Sequence, residues 1–416
     1  MSVPSTGVSP ANVEEAKRGE PAFHVGTHRL LDDESLNFQL NRWIAYGSDF
    51  FLGDVRALAP RLTSYAAWIH EFLALAERLA AEGRSVDGAL CLRSAEFFMS
   101  REDPRRVGAR NRFVEVMRDA YGVRAGDCTR VPFEAGGLPA YRFSAQSPRD
   151  IVVFFGGFDS YVEEFFPLLR ALQRNGSDVV AFEGPGQGGA LEDGHLTMTP
   201  AWHRPVAAVL DHFELRAVTL IGLSLGGCLV IRAAATEKRI ARVVAFDVLS
   251  DFRECMLRQA PQAIRAAAPA LLHAHVGWVL DAAASRVARS SPVAEWGLPR
   301  ARHVFGAATD HAALGEAARY HTRDVSSLVE QDVLLLAGAE DHYVPSHQLY
   351  DQAALLTRAR SVTTRMFTQA ESAGSHCQVG NLALALATIT EWVQQIQASS
   401  SSRVNQPTLA RGSSSC

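Results

Sequence analysis

Thr219-Leu220-Ile221-Gly222-Leu223-Ser224-Leu225-Gly226-Gly227-Cys228 decides the fold. The β-branched, apolar run 218–221 reads as a buried strand, and 228–235 reads as a helix. Between them, Gly-Leu-Ser-Leu-Gly places a serine at the apex of a sharp turn. Glycine at 222 and 226 lets strand and helix pack where side chains would clash, and the turn holds Ser224 strained with its hydroxyl exposed. A helix opening at the serine turns free N–H groups and a positive dipole end toward any anion that forms beside it. A bare G-x-S-x-G also arises by chance. The strand before it and the helix after it favour a nucleophile.

Working outward, further short apolar runs occur at 151–155, 178–182, 242–246, 332–336 and 361–367, and helical stretches lie at 163–174, 205–213, 225–236 and 382–396. Strands alternating with helices imply a mostly parallel sheet covered on both faces, an α/β fold. The segments 130–134 and 139–144 read as a strand pair around Gly136-Gly137. Ahead of the sheet the periodicity is helical. Leu36, Leu40 and Ile44 share a face; Leu62, Tyr65, Ile69, Phe72, Ala76 and Leu79 form a longer stripe closed by Gly83; a third helix covers 86–99. Asp103-Pro104 reads as the N-cap and first position of a fourth, with Tyr121-Gly122 as its exit. From 251 to 330 there is only alanine-rich helical pattern with Trp278 and Trp296, about eighty residues and too many for a loop.

The expected organisation is a flexible N-terminus over 1–30, a helical N-terminal domain over 31–125, the first part of an α/β core over 126–255, a helical lid over 256–330, the rest of the core over 331–397, and a disordered serine-rich tail over 398–416. The N-terminal helices and the lid are expected to roof the site together. The lid would do so through Leu271, Leu272, Val276, Val279 and Leu280, and the N-terminal domain through Trp68, Phe72, Phe97 and Phe98.

Composition narrows the classes. The chain has 416 residues, 47% apolar and 21% charged, with a formal net charge of −4, which gives no reason to expect nucleic acid or an anionic membrane as partner. No signal-peptide core and no run of about 18 apolar residues is present, so a cytoplasmic location is expected. Cys91, Cys128, Cys228, Cys255, Cys377 and Cys416 are scattered without paired spacing, which suits reduced thiols. No zinc-type cluster is found, and neither metal nor cofactor is expected.

A serine hydroxyl needs a base to take its proton, and the base needs a third group to orient it. Side chains at the carboxyl ends of parallel strands converge on one edge. After the run 332–336 come Glu340, Asp341 and His342; after 361–367 come Glu371, Ser375 and His376. Asp341 is the acid candidate with Glu340 as the alternative, and His376 is the base. His342, beside the acid, is poorly placed to reach both partners, and a metal role for His342 and His347 is disfavoured. An oxyanion needs two backbone donors. One is the N–H of Leu225; the other comes from Gly156-Gly157-Phe158-Asp159-Ser160, with Gly157 first and Phe158 second. Gly184-Pro185-Gly186-Gln187-Gly188-Gly189 matches a dinucleotide fingerprint, but the chain is expected to continue through Glu192, Asp193 and Gly194 to Pro200 before any helix, and Pro185 removes a donor.

These residues resemble the α/β-hydrolase superfamily, whose nucleophile–acid–base order is Ser224, Asp341, His376 here. The resemblance is closer to a branch with a helical N-terminal domain that includes 2,6-dihydroxypseudooxynicotine hydrolase and hydrolases that process polyketides. It rests on Gly156 to Ser160 with Glu163-Glu164, Gly184-Pro185-Gly186-Gln187-Gly188, Gly222 to Gly227, Asp341-His342-Tyr343-Val344-Pro345 and His376-Cys377-Gln378-Val379-Gly380-Asn381. Phe155 stands where many relatives carry histidine. The resemblance implies the triad and cleavage of a carbon–carbon bond beside a ketone, or of an ester, in a small hydrophobic metabolite of secondary metabolism or catabolism. It also implies an auxiliary carboxylate, for which Asp247, Asp251 and Glu254 are candidates. The rival readings are an acyl-transfer or cyclising enzyme on the same triad and a ligand receptor on the same scaffold. The expected partner is a small molecule, and a homodimer is left open.

Overall fold

The computed structural model describes residues 23–404 apart from 259, 275 and 290. Of the flexible N-terminus expected over 1–30 and the tail expected over 398–416, residues 1–22 and 405–416 lie outside the described residues.

Among the described residues five helices come first: α1 Glu34–Ile44, α2 Phe51–Leu58, α3 Tyr65–Ala81, α4 Ser85–Phe98 and α5 Arg106–Ala120. The core follows as β1 Cys128–Phe133, β2 Gly136–Phe143, β3 Asp150–Phe155, α6 Phe166–Arg174, β4 Ser177–Phe182, α7 Gly188–Glu192, α8 His203–His212, β5 Val218–Leu223, α9 Gly226–Ala234 and β6 Ile240–Phe246. An excursion of helices comes next: α10 Phe252–Leu257, α11 Gln262–His273, α12 Gly277–Ala288, α13 Pro292–Phe305 and α14 Asp310–Ala317. The core closes with β7 Asp332–Gly338, α15 His347–Leu355, β8 Ser361–Phe367 and α16 Leu382–Val404.

Among the described residues the eight strands form one sheet in the order β1-β2-β4-β3-β5-β6-β7-β8. β1–β2 and β2–β4 pair antiparallel and the remaining pairs are parallel. Every residue of β4, β5 and β7 is buried, as expected where helices cover both faces of a parallel sheet. Alternate residues feed opposite cores. Phe154, Ile221, Val244 and Leu334 join the apolar stripes of α1, α3, α4 and α16 on one face. Val153, Leu220, Val243 and Leu335 join α8 and α9 on the other.

Four local expectations need correction. Residues 23–30 are tied down: His24 N–H donates to the Ala45 carbonyl at 3.3 Å, Gly26 N–H to Gly380 at 2.7 Å, and His28 N–H to Asn41 Oδ1 at 2.7 Å. The fourth helix expected in the N-terminal domain begins at Arg106, because Asp103 first closes a turn that accepts from Arg105 N–H through its side chain and from Arg106 N–H through its carbonyl. The helix α2 has no counterpart in the expected set. The last helix continues to Val404, through seven residues assigned to a disordered tail, and Ser399 Oγ satisfies itself on the Gln395 carbonyl at 2.8 Å.

No helix among the described residues is long and apolar enough to cross a membrane.

Candidate active site

β5 delivers Ser224 at its carboxyl end with φ +60°, in the left-handed region that costs an L-residue energy unless its surroundings impose it. Here they do. Ser224 N–H donates to Phe246 O at 2.8 Å, and Gly227 N–H returns to Ser224 O at 2.7 Å. A Cβ at Gly222 would run into the Gly226 carbonyl, and one at Gly227 into that of Asp247. The tight turn therefore requires glycine at both positions.

β7 delivers Asp341 and the loop after β8 delivers His376. Asp341 Oδ1 accepts from the N–H groups of Tyr343 at 2.7 Å and Val344 at 2.9 Å, leaving Oδ2 for His376 Nδ1 at 2.6 Å. His376 Nε2 lies 2.8 Å from Ser224 Oγ. Serine, histidine and aspartate thus form one hydrogen-bonded chain. Burial works against a charged imidazole, but Asp341 outweighs it and holds His376 well above its usual value. Burial likewise opposes ionisation of Asp341, and His376 with two backbone donors overcomes it, keeping the carboxyl below the ordinary range.

Glu340 is exposed and stands outside this chain. His342 is buried against Phe38 and Tyr343, and burial pushes it down to about 4, so it is neutral near pH 7. His347 is half exposed beside Glu254 and Asp351. Asp247, Asp341 and His376 bring three ligand-type atoms within 4.8 Å of one another, but His376 Nδ1 and Asp341 Oδ2 are occupied by each other. Cys91, Cys128, Cys228, Cys255 and Cys377 are free thiols; Cys416 lies outside the described residues.

The three auxiliary-acid candidates separate. Asp251 caps α10 by accepting from Glu254 N–H at 3.2 Å and pairs with Arg323. Glu254 bonds Gln348 Nε2 at 2.8 Å. Asp247 is fully buried, accepts from Cys377 N–H at 3.2 Å and lies 4.0 Å from His376 Nδ1. Burial, then the charge of Asp341, pushes its pKa well above the usual carboxyl value. None of the three lines the cavity above Ser224.

That cavity measures about 260 Å³ and is mainly apolar. Ser224, His376, Gly157 and Phe158 form its floor. Phe38, Gln39, Arg42 and Phe97 enter from α1 and α4, Phe252 and Met256 from α10, and Val293, Trp296 and Ala301 from α13. The roof is therefore shared between N-terminal helices and lid but, Phe97 apart, by different residues from those expected. Leu271, Leu272 and Leu280 instead pack with Ala268 and Leu314 in a separate small cluster, and neither Val276 nor Val279 reaches the cavity. Trp68 and Phe72 are spent on the core of the N-terminal domain, while Phe98 faces a neighbouring cavity. Phe97 alone of that set lines the site, stacked on Trp296 at 4.4 Å between centroids.

The turn after β3 carries Gly157 and Phe158. A Cβ on Gly157 would sit 2.8 Å from Leu225 N and 2.8 Å from Ser224 Cβ, so glycine is required for this close approach. Phe155 is fully buried against Phe182 and Trp202. The glycine-rich segment needs one correction: α7 does open at Gly188. Its first turn is already occupied, because Glu183 accepts from Gly189 N–H at 2.6 Å and from Val162 N–H at 3.1 Å. A buried carboxylate fills the place a phosphate would take.

A buried ionic network, absent from the sequence reading, ties these pieces together. Glu164 pairs with Arg42 and, at 2.6 Å, with Arg93; Glu96 pairs with Arg93 and, at 2.8 Å, with Arg106; Glu192 meets Arg106 at 2.9 Å and Arg300 at 3.2 Å. Arg93 also donates to the Asp159 carbonyl at 2.9 Å, and Arg300 pairs with the Asp159 carboxylate. Such charges are tolerated in the interior only when paired in this way.

A family model described as alpha/beta hydrolase fold matches residues 150–370. Hydrolase LUC6 of Fusarium sp is 26% identical over 418 aligned positions, covering 88% of this chain and 98% of that protein. The 2,6-dihydropseudooxynicotine hydrolase of Paenarthrobacter nicotinovorans is 27% identical over 241 positions, covering 53% of this chain and 64% of that protein. A crystal structure of 2,6-dihydroxy-pseudo-oxynicotine hydrolase superposes with a TM-score of 0.58 at 21% identity, covering 85% of this chain and 93% of that one.

Proposed function

The chain belongs to the α/β-hydrolase fold family and is an enzyme of the hydrolase class, and on that premise we propose that it is a serine hydrolase acting on a small hydrophobic carbonyl compound. The observation that carries this reading is the chain from Ser224 Oγ to His376 Nε2, 2.8 Å, and from His376 Nδ1 to Asp341 Oδ2, 2.6 Å, on the floor of an apolar cavity.

In this mechanism His376 Nε2 takes the Ser224 proton as Oγ adds to the substrate carbonyl. Asp341 stabilises the imidazolium. The N–H of Leu225 and those of the Gly157–Phe158 turn receive the developing oxyanion. His376 then gives its proton to the leaving group, and water hydrolyses the acyl-enzyme by the same steps. For an ester the leaving group is an alkoxide; for a β-diketone it is an enolate, released by cleavage of the carbon–carbon bond. An enolate is best formed away from bulk water, which suits a site roofed by Phe38, Phe97 and Trp296. A polyketide-like metabolite fits the cavity's apolar walls and its few polar groups, Arg42, Gln39 and Tyr343.

Labelling with a fluorophosphonate followed by peptide mass spectrometry tests the nucleophile: the adduct is expected on Ser224, and an adduct elsewhere or none sinks the reading. Turnover in ¹⁸O-water then separates hydrolysis, which places the label in the product acid, from cyclisation or acyl transfer, which does not.

A further inference from the structure

The Gly184-Pro185-Gly186-Gln187-Gly188 segment has no role in the mechanism above, yet its one polar side chain points at the oxyanion turn. Gln187 is 1% exposed. Its Nε2 donates to two successive carbonyls, Gly156 O at 2.7 Å and Gly157 O at 3.0 Å, while its Oε1 accepts from Gly184 N–H at 2.9 Å. Both Nε2 protons and the carbonyl oxygen are thereby used, which also fixes which end of the amide is which.

In a trans peptide the C=O and the next N–H point in opposite directions. A donor that draws the Gly156 and Gly157 carbonyls to one side turns the N–H groups of Gly157 and Phe158 to the other. That other side holds the reacting serine, since Gly157 packs on Leu225 N and Ser224 Cβ and both Gly157 and Phe158 line the cavity. Among the described residues the N–H groups of Gly157, Phe158 and Leu225 have no hydrogen-bond partner. Glycine at 156 and 157 makes these planes easy to flip, so something must hold them. Ser160 Oγ reaches Gly157 O only at 3.3 Å, and no other side chain reaches either carbonyl among the described residues.

We propose that Gln187 is the positioning residue of the oxyanion site, holding the 156–157 and 157–158 peptide planes so that their N–H groups face the oxygen that becomes charged. The proposal rests on the serine-hydrolase reading and extends it to a residue that touches neither substrate nor triad. It predicts a defect confined to states that carry an oxyanion.

The test compares the second-order rate of fluorophosphonate labelling at Ser224, and hydrolysis of p-nitrophenyl acetate, in the unaltered chain and in Gln187→Met. Methionine keeps the length of glutamine and removes the donor. A misplaced catalytic group costs on the order of 100-fold, so labelling should slow by about that factor. The loss in p-nitrophenyl acetate hydrolysis should fall on kcat with KM nearly unchanged, and thermal unfolding should remain cooperative. Equal labelling rates overturn the proposal while leaving the serine reading intact, and so does a loss that falls on KM alone. An unlabelled Ser224 in the unaltered chain removes the reading, and the proposal with it. Should Gln187→Met fail to fold, Gln187→Leu carries the same expectation, because it too removes the donor.

Discussion

Arg300, on the lid helix α13, forms an ion pair with Asp159, two residues beyond Gly157 in the turn after β3. The side chains are 10% and 2% exposed. Burial and the charge of nearby Arg106 push the guanidinium down to about 9, so it is still charged near pH 7. The lid is therefore fastened directly to the turn after β3 that carries Gly157 and Phe158. Arg300→Met should strand a buried carboxylate and cost about 3–5 kcal/mol of stability. Adding Asp159→Asn should recover part of that loss in a double-mutant cycle by thermal or urea unfolding. A loss for Arg300→Met within about 0.5 kcal/mol, the usual range for a neutral surface change, would mean the pair does no structural work.

Ser224→Ala should leave the fold intact and remove nearly all turnover, by analogy with triads that lose up to about 10⁶ in kcat. Asp341→Asn should cost about 10⁴, because the imidazole then favours the wrong tautomer. Glu340→Gln should change little, since the carboxylate is exposed and takes no part in the chain from Asp341 to Ser224. The reverse ranking of the two acid variants would move the acid to Glu340.

Acid inactivation follows from the neighbours of His376. The proposed base works in its neutral form, and Asp341 holds its pKa above the ordinary 6.5. Activity should fall as pH drops through that raised value, so the acid limb of kcat/KM should be centred above 6.5. Asp247 tests the local charge. Burial and the charge of Asp341 favour its protonated form, so Asp247→Asn should keep the acid limb in place. An ionised Asp247 this close to the ring would raise His376, and its removal would move the limb down by about 1–3 units. That downward shift is the result that would contradict a neutral Asp247.

The strands were legible because a sheet covered on both faces needs continuous apolar runs, and Val218 to Leu223 can hardly be anything else. The order of Ser224, Asp341 and His376 was legible because strand ends converge on one edge. What escaped depends on contacts distant in sequence. Gln187 reaches across about thirty residues to Gly156, and its glycine-rich setting matches a dinucleotide fingerprint that Pro185 already disfavours, with nothing local to announce a contact with the turn after β3. The roofing residues other than Phe97 escaped because an apolar stripe shows that a helix buries a face without showing against what. Leu271 and Leu280 bury against other lid residues, whereas Val293 and Trp296 reach the cavity. The tether of residues 23–30 comes from Gly380 and Asn41, which no local pattern announces.

The N-terminal helices line the cavity and should not be separable as an independent module. A chain beginning at Gly122 would lose Phe38, Gln39, Arg42 and Phe97 from the cavity, and with them the ring that Trp296 stacks on and the Phe97 carbonyl that Trp296 Nε1 bonds at 2.7 Å. It would also lose Arg42 and Arg93, both partners of Glu164, whose carboxylate is fully buried and kept below its usual range by those two charges against the cost of burial. Left alone, a buried carboxylate destabilises by about 3–5 kcal/mol, a large share of a domain's whole stability. The apolar faces of α6 and α16 that now meet the N-terminal core would be uncovered as well. The truncated chain should aggregate or bind a hydrophobic dye, and any soluble fraction should turn over p-nitrophenyl acetate poorly. Size-exclusion chromatography with dye binding and a kcat/KM measurement decides the matter. A monomer that binds no dye and retains full kcat/KM would show that the α/β core is complete alone and that the N-terminal helices do not roof its site.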